Sequence, residues 1–229
     1  MPAVYRSATR FRLSSSGAPP VSPAFDANWE QTGSGNRLVM LTGSKDGSVL
    51  TDFSRTVPIT TTQDILTTQF VSAPFPVPAR ITGTCSMVIR DSESASTANA
   101  HLAFSLRSWN PATAVFQALA SNFATQTEDP TTAATRIWSA QAITARTVAA
   151  GDRLVFEVGI HAAAPTTAQT AIRRFGMPKD IADFALTSAL TTDLCPWIEI
   201  QMELLGSGSM NNQQYVQGGG GISTNERWY

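Results

Sequence analysis

A period-two alternation of apolar and polar side chains recurs in four separate runs, and it constrains this chain more than any other feature. In residues 81–90, Ile81, Gly83, Cys85, Met87 and Ile89 fall on one face, and Thr82, Thr84, Ser86 and Val88 on the other. Residues 101–109 set Leu102, Phe104 and Leu106 against His101, Ala103, Ser105 and Arg107. Residues 154–161 oppose Leu154, Phe156, Val158 and Ile160 to Val155, Glu157, Gly159 and His161, and residues 197–205 oppose Ile198, Ile200, Met202 and Leu204 to Glu199, Gln201 and Glu203. Side chains of a strand point alternately to opposite faces, so each run reads as a half-buried strand. Shorter strands are expected at 4–8, 37–42, 48–53, 65–71, 115–120, 136–143 and 171–175. Turn signals such as Thr42-Gly43-Ser44-Lys45-Asp46-Gly47, Asn110-Pro111 and Gly151-Asp152 separate them. Many short strands joined by turns predict an all-β chain built as an antiparallel β-sandwich.

Helix is expected in two places only. Pro178 opens a stretch to 189 in which Ile181, Phe184 and Ala185 share a helical face, and a second short helix is expected over 23–31. Pro74, Pro76 and Pro78 lack ladder donors, so 71–78 reads as an extended crossover. From Gly206 the composition turns to Gly, Ser, Asn and Gln before ending in Arg227-Trp228-Tyr229. Three regions follow: an N-terminal strand or arm over 1–22, a sandwich over 23–205, and a flexible C-terminal arm over 206–229.

Charge is scarce, at 14% of residues against ~25% in an average soluble domain, while the hydrophobic share is 42%. Small neutral residues, chiefly Thr, Ser and Ala, take its place. Nucleic-acid binding, which needs clustered cations to displace counterions, is not expected. Neither is a membrane span, since no run of eighteen apolar residues occurs. The N-terminus lacks the basic and apolar regions of a secretion signal, so the chain is expected in the cytoplasm where it is made. Cys85 and Cys195 read either as buried thiols or as a disulfide pair.

Chemistry has few candidates. His101 and His161 open and close strands, and no nucleophile elbow, zinc signature or phosphate loop accompanies them. Glu199 and Glu203 share a strand face and admit a glycosidase reading. No cofactor and no metal is expected, and the chain is not expected to be an enzyme. Trp29, Trp109, Trp138, Trp197 and Trp228 are open to two readings, as closers of the core or as a platform for a sugar or a protein.

Three patterns stand in order along the chain: Ser22-Pro23-Ala24-Phe25-Asp26-Ala27-Asn28-Trp29-Glu30, then Ala149-Ala150-Gly151-Asp152-Arg153-Leu154-Val155-Phe156-Glu157-Val158-Gly159, then Pro196-Trp197-Ile198-Glu199. With the Thr-rich strands between them, the chain resembles a group of tailed-bacteriophage virion proteins over roughly residues 1–205. The resemblance implies a jelly-roll sandwich with extended terminal arms. It places the chain on the virion but does not by itself assign it to head or tail; the leading expectation is a capsid decoration, or cement, protein that sits on the virion surface as a homotrimer and binds the major capsid protein. In that reading Arg227, Trp228 and Tyr229 anchor the arm on a neighbour, because aromatic residues and Arg dominate interface hot spots. The alternative is a tail fibre, tip or adsorption module that binds host-surface glycan or another tail protein through Trp109 and Trp138.

Overall fold

A computed structural model describes residues 7–33, 35–57, 61–123, 127–164 and 168–205. Its twelve strands are β1 (Ser7–Leu13), β2 (Asn36–Leu41), β3 (Thr51–Val57), β4 (Gln63–Val71), β5 (Ala79–Glu93), β6 (Ala100–Asn110), β7 (Val115–Asn122), β8 (Ala134–Ala142), β9 (Arg146–Val148), β10 (Arg153–Ala162), β11 (Gln169–Phe175) and β12 (Trp197–Leu204). The class is all-β, as the alternation predicts. Among the described residues the one helical piece is a 3-10 turn, Ser96–Ala98. No helix there is long and apolar enough to cross a membrane, which says nothing of a membrane β-barrel.

Strands run in the order β3-β11-β5-β12-β1-β2-β4-β10-β6-β7. The first five and the last four form two layers, and β2 passes between them. It joins β1 only at Arg12–Leu41 and Leu13–Met40, then runs parallel to β4, so one parallel pair interrupts the expected antiparallel pattern. β5 is long enough to pair with four partners. β12 and then β11 take one edge, and β9 and then β8 take the other. The apolar faces meet between the layers. Phe70 of β4 lies edge-on to Phe175 of β11 at 4.9 Å, and Phe104 of β6 edge-on to Trp138 of β8 at 5.2 Å. Burying each such side chain contributes ~1.5–3 kcal/mol.

Neither expected helix forms. Around 178–189 the main chain is satisfied from outside: Phe184 N–H donates to the Cys195 carbonyl and Cys195 N–H to the Ala182 carbonyl. Phe184 is buried beside Val88 and Trp197, while Arg10, Arg12 and Lys45 hold Asp183. These tertiary partners override a weak helical pattern. The N-terminal segment is also more than an arm over the described part. β1 lies between β12 and β2, with Phe11 and Leu13 in the core.

The other expected helix, 23–31, is an irregular strap on the outer face of the second layer, fixed by one buried carboxylate. Glu157 of β10 has no exposed surface. It accepts bonds from Arg107 of β6 (2.8 Å), Gln69 of β4 (2.8 Å), the Trp29 indole N–H (2.8 Å) and the Asp26 main-chain N–H (3.1 Å). Burial pushes its pKa up, against the pull of Arg107, Gln69 and Trp29. Gly159 makes room for the strap, since a Cβ there would stand 2.6 Å from the Trp29 ring and 2.2 Å from the Ile65 carbonyl oxygen. Breaking a buried ion pair from one side strands a charge, so Arg107→Ala is expected to cost ~3–5 kcal/mol in urea unfolding. Loss of the exposed Arg174–Asp52 pair, through Arg174→Ala, is expected to cost under ~1 kcal/mol.

Candidate functional site

Charge is unevenly placed on this fold. Along the outer face of β1, β12, β11 and β3 it is gathered into ion-paired chains, Arg10–Glu199 with Arg12–Asp183–Lys45, and Asp52–Arg174–Asp193–Arg90. The opposite flank, where β7 closes one layer and β8 and β9 close the other, is almost without it. No charged side chain occurs between Arg107 and Glu128, nor between Arg136 and Arg146.

Local chemistry brings these two stretches together. Asn110 folds the chain after β6 by accepting the Ala112 and Thr113 N–H groups, and its amide donates to Asp152 at 2.8 Å. β7 then returns along β6, with a register shift that leaves Leu119 opposite no partner. That bulge turns the Leu119 side chain into the core, and its carbonyl accepts the Thr144 N–H at 2.8 Å, linking β7 to the chain after β8. Exposed on this flank are Val115, Gln117, Ala118, Ser121, Ser139, Ala140, Ala142, Thr144 and Ala145, with Arg146 at its end. Short, neutral side chains lose little entropy on ordering, and depletion of charge marks the centre of protein interfaces. Such a surface is suited to being covered by another protein.

The residues singled out by sequence stand differently. Trp109 stacks on Phe116 at 6.3 Å and Trp138 packs on Phe104, and both are buried. Of the two readings of these rings, the structure gives the core-closing one; neither ring is an exposed platform. Arg227, Trp228 and Tyr229 lie outside the described residues. Glu199 is held by Arg10 at 3.1 Å, and Arg10 also lies over the Trp197 ring at 4.0 Å. His161 Nδ1 is 2.8 Å from Asp64 Oδ1, and its ring is 6.2 Å from that of His101. Burial pushes the Asp64 carboxyl up, against the pull of His161. This pair escaped the sequence reading because Asp64 lies far from His161 in sequence and only the β4–β10 register brings them level. A cavity of about 560 Å³ lies nearby, lined by Glu30, Thr32, Ser54, Arg55 and Leu66 among others. Arg55 is committed there to the carbonyls of Ser54, Leu66 and Thr67. Cys85 and Cys195 are free and buried; burial pushes Cys85 up to about 11 and raises Cys195 as well. Among the described residues no group of three or more His, Cys, Asp or Glu side chains is placed to hold a metal ion.

No protein-family model matches the chain, and no curated protein matches it in sequence. Among solved structures it is similar to a CocE/NonD family hydrolase from Staphylococcus aureus, at 8% identity and a TM-score of 0.47, over 85% of this chain and 36% of that one. It is also similar to an aminopeptidase from a marine-sediment Thaumarchaeota archaeon, at 8% identity and 0.42, over 86% and 37%. An alpha-amino acid ester hydrolase matches at 10% identity and 0.37, over 84% and 36%. The chain thus spans little more than a third of each of these proteins.

Trp138 serves packing, so Trp138→Ala is expected to act on stability. Its expected cost is ~3–5 kcal/mol, read as a fall in the denaturant midpoint.

Proposed function

We propose that this chain is a structural protein of a tailed-bacteriophage virion, a decoration protein that binds the major capsid protein and stabilises the assembled shell. One observation carries the reading: the nearly charge-free flank formed by β7 and by residues 137–145 of β8 and the chain entering β9. A protein that binds a lattice but not its free subunits stabilises the lattice by mass action. It needs a broad, rigid surface whose covering strands few charges. The two-layer fold supplies rigidity, and the ion pairs gathered on the opposite face keep that face wet and soluble. A homotrimer with jelly-roll connectivity belongs to the same reading, as does anchoring by Arg227, Trp228 and Tyr229. The alternative, adsorption to glycan through Trp109 and Trp138, is the weaker, because both rings are buried in packing.

Co-sedimentation of the full-length protein with shells assembled from the major capsid protein tests this. Wild type is expected to pellet with the shells. Ala118→Asp combined with Ala142→Asp is expected to weaken binding at least tenfold with an unchanged melting temperature. Absence of wild-type binding, or binding indifferent to the two charges, contradicts the proposal.

A further inference from the structure

Four carboxyl groups meet where the end of β5, the chain entering β8 and the middle of β11 come together. Asp91 and Glu93 belong to β5; Glu128 and Asp129 lie between β7 and β8. Two cations face them. Arg173 of β11, with no exposed surface, brings Nη1 to 2.6 Å from Asp129 Oδ2, and Arg136 of β8 brings Nε to 3.7 Å from Asp91 Oδ1. Both guanidiniums are partly spent on main chain. Arg173 donates to the carbonyls of Gly159, Ile172 and His101, and Arg136 to that of Glu128. The 3-10 turn packed alongside, Ser96–Ala98, adds no charged group.

Four acids against two cations leave two negative charges without a counter-charge in a largely buried site, which is the arrangement proteins avoid by keeping protons. The Asp91 carboxyl has no exposed surface, and neither of its oxygens meets a donor among the described residues. Glu93 Oε1 and Glu128 Oε1 are likewise without a donor there. The acids turn to each other, Asp91 within hydrogen-bonding reach of Asp129, and Glu93 within reach of Glu128. A proton between two such carboxyls converts repulsion into an O–H···O bond.

We propose that each acid pair holds one shared proton. Release of the Glu93–Glu128 proton between acid and neutral solution then loosens the segment that crosses from β7 to β8. Burial, reinforced by Asp129, raises Asp91 well above its ordinary value. Burial, with Glu128 and Asp129 adding to it, raises Glu93 to about 7, which places release of its proton between acid and neutral solution. The new charge appears at a junction. Glu93 Oε2 accepts the Ala100 N–H at 3.2 Å, Glu93 N–H donates to the Pro130 carbonyl at 2.9 Å, and Asp129 N–H donates to the Ala100 carbonyl at 2.7 Å.

The sign follows from linkage. An unfolded Glu releases its proton near 4.5 and the folded one near 7. The folded protein therefore holds one more proton between those values. Its contribution is complete below about 4.5 and is lost as pH rises through about 7.

Urea unfolding of the full-length protein from about pH 5 to 8.5, beside Glu93→Gln and Glu128→Gln, tests the proposal. Below pH 7 the wild-type unfolding constant is expected to rise about tenfold per pH unit more steeply than that of either variant, and to run parallel above. Hydrogen exchange at the Ala100 and Asp129 amides, corrected for intrinsic rate, is expected to accelerate over the same interval. Equal slopes for wild type and variants overturn the proposal. Should neither variant fold, pH-independent protection of those two amides in wild type overturns it.

Discussion

The carboxylate of Glu157 decides how the second layer is finished. A charge with no exposed surface is tolerated only when cation and donors surround it. Here they come from three adjacent strands and from the strap, through Arg107, Gln69, Trp29 and the Asp26 main chain. Because the donors are spread over the layer, the layer and the strap must form together. The strap in turn lays Trp29 over Leu66 and Ala103, so a face that would be wet becomes a second, smaller core. The Trp29 and Glu157 patterns, far apart in sequence, are two halves of one contact.

The same economy of charge runs through the molecule. Much of it is consumed internally, around Glu157 and in the cluster of Asp91, Glu93, Glu128, Asp129, Arg136 and Arg173. More is paired on the outer face of β1, β12, β11 and β3. Little is left for the flank of β7, β8 and β9. A low overall charge thus becomes a directional property, with one side wet and ion-paired and the other neutral and suited to contact. The buried ionic sites also bear on the proposed response to pH, in which the Glu93–Glu128 pair adds stability in acid that neutral solution removes.

Sequence periodicity found β5, β6, β10 and β12, but β6 and β10 are not half-buried as expected: both faces are covered, the side read as wet lying under the strap. It ended β1 too early: the expected strand stops at 8, whereas Arg10-Phe11-Arg12-Leu13 continues it, with Glu199 and Asp183 holding the two arginines. It missed β9, whose three residues are too short for a period. It proposed a helix at 178–189 because local spacing carries no knowledge of Cys195, Trp197 and Arg12, which claim the main chain and Asp183. The flank was legible in part, as two charge-free stretches. Their union was not, because it depends on a bulge at Leu119 and one main-chain bond to Thr144. The acid cluster was legible only as two separate acid pairs, Asp91 with Glu93 and Glu128 with Asp129; their meeting, and Arg173 beside Asp129, depend on the packing of β11.

The proposed capsid role requires that the β7 flank be the face covered when the protein binds a shell. Hydrogen–deuterium exchange of the protein free and bound to capsid shells reads this directly. Protection gained on binding should concentrate in β7 and in residues 139–147, with the outer face of β1 and β12 unchanged. Protection gained on β1 and β12 instead, or none on the β7 flank, would contradict it.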